Sequence, residues 1–312
     1  MIREKSYFIC DTSSGLKIIR RSGDEPDNII FQHGIKEKLY EEGFARTDRF
    51  RLSEEGLPYS VHNGEIYVMS DFLPYKEAGF VNAEEFRNIV EATAQMHRFG
   101  RLGERPGAEA GGKIYAPACD CLTEFRKSAA KLAAVKKKIG RQARMSDFDV
   151  IFLKNYAYYT KRLKSSIQLL EKTDPAAGLA QAVREGRVCH HGLKEETVLT
   201  DAGDVYITRF SGALFDTQLH DLADIIRRYL RNTSGSGFGI FQILDIYDKI
   251  NGVSDEDVKV LTALLKYPHH FIKTVNQYYS KKRTWAPGAM ISRLRTIVAC
   301  EDAYERLLEA GS

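Results

Sequence analysis

No run in the 312-residue chain approaches 18 apolar residues, so nothing in it is long enough to cross a bilayer as a helix. The first apolar stretch, Ser6 to Cys10, is too short for a signal peptide, and a soluble, intracellular protein with no membrane partner is expected. Cysteine is scarce too. Cys10, Cys119, Cys121, Cys189 and Cys300 are odd in number and include no CxxC pair, which excludes a disulfide scaffold and fits a reducing compartment. Cys119 and Cys121 together with Cys189, His190 and His191 match no common zinc spacing, so no metal site is expected of them. A surplus of one charge is also missing: 46 Lys and Arg against 42 Asp and Glu leave +4, too little to argue for a nucleic-acid partner. Glycine is absent before Gly15, which leaves no place in the N-terminus for a glycine-rich loop over nucleotide phosphates. The glycine-rich run Gly103 to Gly112 neither follows a strand nor opens a helix as a P-loop does, and reads as a surface connection.

What is present is ample material for a core, since 43% of residues are hydrophobic. Ser6 to Asp11 and Leu16 to Arg21 are β-prone runs around a Thr-Ser-Ser-Gly turn, which predicts an N-terminal hairpin. Asp27 to Gly43 reads as a helix ended by Gly43. Phe50 to Leu52, Pro58 to His62 and Glu65 to Phe72 read as short strands, the last two joined by an Asn63-Gly64 turn. Asn82 to Glu85 resembles a capping box, and Phe86, Ile89, Val90, Thr93, Met96 and His97 follow at helical spacing, with His97 taken as a structural histidine.

Helices then dominate. Leu122 to Arg144 is basic, with Glu124 its single acid, and reads as a solvated face because Phe125 is its single aromatic and no series of rings interleaves to stack on bases. Asp147 to Leu170 is a long helix and Leu179 to Glu185 a short one; Phe238 to Ile250, Ser254 to Lys266, Pro268 to Tyr279 and Ala286 to Glu309 close the chain. The expected class is α+β: a small antiparallel β-rich lobe over 1–75, truncated and without a glycine-rich loop, and a helical lobe over 76–312 with a β-hairpin inserted near 197–210.

Val188 to Arg231 organises the rest: a turn segment, a hairpin and an amphipathic helix. Its motifs are Cys189-His190-His191, Val205-Tyr206-Ile207, and His220-Asp221-Leu222-Ala223 followed by Arg227-Arg228; Ala94-Gln95-Met96-His97 precedes them and Tyr278 to Trp285 follows. With these motifs in this order the chain resembles the protein-kinase-like aminoglycoside and choline phosphotransferases, and most closely the CotS-like spore coat proteins of endospore-forming bacteria. The resemblance implies a two-lobed fold, residence in the mother-cell cytoplasm and then the spore coat, and other coat proteins as partners.

It also implies where catalytic groups belong. An active member carries an aspartate at the acceptor hydroxyl, an asparagine and a second aspartate on magnesium, and a strand lysine on the phosphates. Carried onto this chain, those positions are Gly192, Thr197, Arg209 and Arg20. Glycine cannot act as a base. A fixed charge roughly 4 Å from a divalent ion, at an effective dielectric near 20, costs about 8 kcal/mol of repulsion. Asp201 and Asp204 are turn residues, Asp216 lies beyond the strand, and Glu195 and Glu196 are the only acids inside the loop. By resemblance, His190 is architectural and Asp221 braces the loop from the helix start. The expectation is a pseudokinase with no catalytic residue and no cofactor, serving as a structural or assembly component. The alternatives are a residual small-molecule or protein phosphotransferase, and a nucleotide or anion sensor using Arg20 and Arg209 as counter-charges.

Overall fold

The computed structural model describes residues 2–4, 7–103, 120–233, 237–280 and 287–310. Residues 104–112 of the glycine-rich run, Cys119, and 281–285 of the C-terminal motif therefore lie outside the described residues. The chain forms two compact units: Met1–Ala118, Ala180–Ile225 and Ile246–Gly252 make the first, and Cys119–Leu179, Ile226–Asp245 and Val253–Ser312 the second.

In the first unit, an antiparallel sheet is built from β1 (Ile2–Glu4), β2 (Tyr7–Thr12) and β3 (Gly15–Ser22), then, after helix α1 (Pro26–Glu41), β4 (Ser60–His62) and β5 (Glu65–Asp71), in the order β1-β2-β3-β5-β4. The expected first hairpin is present, closed by Thr12, whose hydroxyl donates to the Gly15 carbonyl at 2.7 Å. β1 was not anticipated; its three residues are too few to carry a pattern. The β4–β5 turn places Asn63 at φ 52° and Gly64 at φ 77°, as a type I′ hairpin requires. Phe50 to Leu52 is not a strand. Phe50 makes one bridge to Ser70, and the turn from Ser53 to Leu57 then draws the chain off the sheet edge. Pro26 and Asp27 in the first turn of α1 suit a helix N-terminus.

Strand β6 (Lys76–Glu77) leads to helix α2 (Ala83–Phe99). Asn82 caps it by accepting from the amides of Glu84 and Glu85 at 2.8 and 3.1 Å. The reciprocal half of the expected capping box is missing, because the Glu85 carboxylate is taken by the Gly79 amide at 3.1 Å. Gly100 stops α2: a Cβ there would lie 2.7 Å from the Met96 carbonyl oxygen. Its own carbonyl accepts from Val188 at 2.8 Å, which seats the central stretch against the end of α2.

The second unit opens with α3 (Cys121–Ile139), which ends at Gly140, short of the expected Arg144, and α4 (Asp147–Leu170), as expected. Helix α5 (Pro175–Arg184) starts four residues before the expected Leu179, with Pro175 as its first residue. The first unit resumes with β7 (Val188–Cys189), β8 (Val198–Asp201), β9 (Asp204–Ile207), a 3-10 turn at Phe210–Gly212 and β10 (Leu214–Phe215); β6, β8 and β9 form one small sheet, β7 and β10 another. Helix α6 (Leu219–Thr233) buries Leu222, Ile226, Tyr229 and Leu230 on one face as expected. The helices α7 (Ile240–Asn251), α8 (Asp255–Lys266), α9 (His269–Tyr279) and α10 (Pro287–Ala310) complete the chain. The class is α+β, with a small antiparallel sheet followed by a mainly helical remainder, as expected.

The core of the second unit follows from the spacing on α4. Phe148, Phe152, Tyr159, Leu163 and Leu170 form one buried stripe on α4, and α4 packs against α8, whose Leu261, Leu264 and Leu265 are buried too. Phe271 of α9 stacks on Tyr159 with ring centroids 3.7 Å apart and planes within 14°. Reciprocal capping boxes at Ser146–Asp149 and Ser254–Asp257 set the starts of α4 and α8. Replacing Phe271 with Ala removes the ring shared by Phe152 and Tyr159. It is expected to lower the unfolding free energy by about 3–5 kcal/mol, measured by urea titration followed by circular dichroism.

Candidate functional site

The loop between β7 and β8 is held by one carboxylate. Asp221, in the first turn of α6 and fully buried, accepts from the His190 amide at 2.5 Å and the His191 amide at 2.8 Å. His97 Nε2 approaches the same carboxylate at 3.1 Å. With that nitrogen donating, Nδ1 is left to accept from the Tyr247 hydroxyl at 2.7 Å. Asn251 donates to Tyr247 at 2.8 Å and to Gln218 at 3.2 Å, and Gln218 donates to the carbonyls of His97 and Val188. Burial opposes ionisation of Asp221, but the hydrogen bond from His97 and the fields of His97, His190 and His191 hold its pKa well below the usual carboxylate range.

The two loop histidines face different partners. His190 is buried, and its Nε2 meets the Thr208 carbonyl at 3.0 Å; burial lowers its pKa, with Asp221 opposing. His191 is held at φ 54°, a left-handed conformation that costs about 1–2 kcal/mol for a non-glycine residue. Its Nε2 pairs with buried Asp216 at 2.9 Å, and His220 lies 3.8 Å from the same carboxylate. Burial pulls the His191 pKa down, but the bond to Asp216 and the charges of Asp221 and Asp216 raise it overall. Cys189 is buried beside Asp221, and burial pushes its thiol pKa up, which keeps it in the poorly nucleophilic thiol form.

Gly192 leaves His190 Nδ1 buried with no hydrogen-bond partner. A Cβ built at Gly192 would sit 3.5 Å from that nitrogen, an ordinary contact. The hydroxyl of Thr197 turns inward, accepting from Lys194 N at 2.9 Å and lying 2.7 Å from the Gly192 carbonyl, where it stitches the loop to itself. Arg209 also has left-handed backbone, at φ 60°, and its amide donates to Asp48 at 3.1 Å. Arg20 on β3 lies 3.9 Å from the other Asp48 oxygen. Burial lowers the Arg20 pKa, Asp48 opposes this, and the like charge of Arg209 adds to it.

Asp48 has a third partner, Lys36 of α1, which is fully buried. Its ammonium lies 2.9 Å from the Asp48 carboxylate and 2.9 Å from the Asp48 carbonyl, and 3.6 Å above the Phe50 ring. Burial lowers the Lys36 pKa and Asp48 counters it. Arg20, Asp48, Thr208 and Arg209 border a cleft of about 140 Å³, smaller than the roughly 300–1,000 Å³ of small-molecule sites. Of the acids lining it, Asp48 faces Lys36 and Arg20, Asp71 faces Lys17 and Arg51, and Glu196 faces Lys194; Glu77 is the fourth. Tyr75 packs on Tyr206 at its edge, with ring centroids 4.5 Å apart.

The structure thus brings Arg20 and Arg209 together over one carboxylate and keeps Gly192 and Thr197 in the loop. Asp201 and Asp204 close the β8–β9 turn, Asp204 lying 3.5 Å from Arg46. Lys36, Asp48, Asp216 and Tyr247 were not foreseen. Only Lys36 leaves a local signal: a lysine beside Ile35 within the buried face of α1, which also carries Ile29 and Leu39.

A family model described as spore coat putative kinase YutH matches residues 3–310. The chain is similar to spore coat protein S of Bacillus subtilis (strain 168), 18% identical over 96% of this chain and 84% of that one. It is also similar to the endospore coat-associated protein YutH of the same organism, 23% identical over 78% of this chain and 68% of that one. Among solved structures, an aminoglycoside phosphotransferase from Alicyclobacillus acidocaldarius superposes with a TM-score of 0.83, at 18% identity over 99% of this chain and 90% of that one. The fold is therefore kinase-like and two-lobed.

Replacing Asp221 with Ala leaves two amides and His97 unpaired and is expected to cost about 3–5 kcal/mol in urea unfolding at pH 7. The folded pKa of Asp221 lies below the unfolded value of about 3.9. Its contribution is therefore complete above about pH 4 and fades as pH falls toward the folded value. His191 has the opposite sign: its raised pKa makes the stability lost in His191→Gln largest below about pH 6.5 and smaller as pH rises through the folded value. Unfolding titrations of each variant beside the native chain, from pH 3 to 8.5, check both slopes.

Proposed function

The chain belongs to the family of spore coat putative kinases matched over residues 3–310, and from that premise we propose that it is a catalytically inactive kinase-like component of the spore coat, made in the mother cell and assembled with other coat proteins. The observation that carries this reading is the inverted charge of the cleft. Arg20 and Arg209 flank Asp48, Asp48 already holds Lys36, and Gly192 offers no carboxylate to an acceptor hydroxyl. A divalent cation entering there meets fixed positive charge, and the 140 Å³ volume lies below that of small-molecule sites. The preserved parts are those that shape the loop: Asp221, His190, His97 and the β8–β9 hairpin. Such a body offers surface rather than turnover, and its relatives of the spore coat supply the class of partner.

A second reading is favoured by the convergence of Arg20 and Arg209: a sensor that holds a phosphate or pyrophosphate group without transferring it. Arginine suits planar recognition of such anions, and the cleft volume suits a small one.

Purified protein incubated with ATP and magnesium is expected to give no phosphate release and no transfer to hydroxyl substrates above an Arg209→Ala control. Magnesium-dependent turnover that disappears in that control would overturn the proposal. In thermal unfolding, ATP with magnesium is expected to give no shift. The sensor reading instead requires stabilisation by pyrophosphate without magnesium, about 2.7 kcal/mol at 100 times the dissociation constant, lost in the Arg20→Gln/Arg209→Gln variant.

A further inference from the structure

The second unit contains a cavity of about 700 Å³ that shares no lining residue with the cleft. Its volume falls within the range of small-molecule sites. The chemistry of its wall is one-sided. Arg162, Arg227, Arg231 and Arg293 line it with His269 and His270, and among the described residues no aspartate or glutamate does. Phe271 and Ile297 supply apolar wall between them.

Local structure explains how four guanidiniums come to meet. Arg227 and Arg231 stand one turn apart on α6, so they share a face. Arg227 donates at 2.8 Å to the carbonyl of Leu264, in the last turn of α8, where carbonyls have no helical amide. Arg231 donates to His270 Nε2 at 2.9 Å, which fixes both side chains. Arg162 is only 6% exposed, while Arg293 comes from α10. The Phe271 ring is locked by its stack on Tyr159. Guanidinium stays charged at every physiological pH, and apolar wall strengthens its field by excluding water. A preformed, apolar-walled volume whose described lining carries positive charge and no carboxylate is complementary to one class of ligand.

We propose that this cavity binds a small organic anion: an apolar body against Phe271 and Ile297, with a carboxylate or phosphate group held by Arg231 and Arg293. The site does not depend on whether the cleft is active, and its occupant leaves the cleft residues untouched.

The test uses the full chain and 1-anilinonaphthalene-8-sulfonate, an aryl anion whose fluorescence rises in an apolar site, beside uncharged N-phenyl-1-naphthylamine. The anion is expected to saturate one site. 2-Naphthoate and phenyl phosphate are expected to displace it, the stronger of the two identifying the head group, and inorganic phosphate alone is not. Neutralising two exposed arginines, as Arg231→Gln/Arg293→Gln, is expected to weaken binding at least about ten-fold, since hydrogen bonds to charged groups carry that much. Arg231→Lys/Arg293→Lys keeps the charge and is expected to retain most of the affinity. Cys300 is exposed and lines the same cavity, so its alkylation by iodoacetamide, followed by peptide mass, is expected to slow when 2-naphthoate saturates the native chain. Equal affinity in the Gln variant, equally tight binding of the uncharged probe, or no protection of Cys300 each overturns the proposal and leaves an apolar recess rimmed by solvated arginines.

Discussion

The loop at the heart of the central stretch is held by Asp221, a carboxylate buried in the protein interior. A carboxylate moved into a protein interior is unstable unless it is surrounded by donors, and here the donors are the amides of His190 and His191 and the ring of His97. The requirement works in both directions. The charge needs the loop closed around it, and the loop, with His191 in left-handed backbone, needs the charge to hold it there. Tyr247, Asn251 and Gln218 extend the constraint until α2, β7, the start of α6 and the end of α7 share one hydrogen-bonded network.

The cleft is organised around one carboxylate. Asp48 gathers donors about itself: the Lys36 ammonium, the Arg20 guanidinium and the neutral Arg209 amide converge on its two oxygens. Burying an ion pair is expensive, and removing one partner costs more than the pair contributes. The two cations and the amide therefore hold each other in place through Asp48. The left-handed Arg209 is stable in that arrangement because its amide has a carboxylate to meet. Two further acids of the lining are similarly engaged, Asp71 with Lys17 and Arg51 and Glu196 with Lys194.

Much of this was legible in the chain, and the boundary is physical. Elements with periodic patterns or strong punctuation were readable: the first hairpin, the Asn63-Gly64 turn, α4, α8 with its Ser254 cap, and the buried face of α6. The roles expected of Asp221 and His190 came from the family resemblance and not from any local pattern in the chain. What escaped was set by approach through space. Tyr247 reaches His97 across 150 positions, and Asp48 and Arg209 meet across 161; neither leaves a trace in local pattern. The half-made capping box of α2 failed for the same reason: a competing donor at Gly79 claimed the Glu85 carboxylate. Short strands such as β1 carry too few residues for alternation to register.

Helix α1 has a mechanical consequence. Two successive side chains, Lys36 and Glu37, fasten it to successive residues of the following loop, Asp48 and Arg49, the first pair buried and the second a two-pronged carboxylate–guanidinium contact. A helix fastened at both of these points has little freedom to roll or slide against that loop. Stiffness of this kind lowers the entropy lost on association. A helix held in this way presents its solvent-facing side as a fixed surface, whose shape is set before any neighbour arrives.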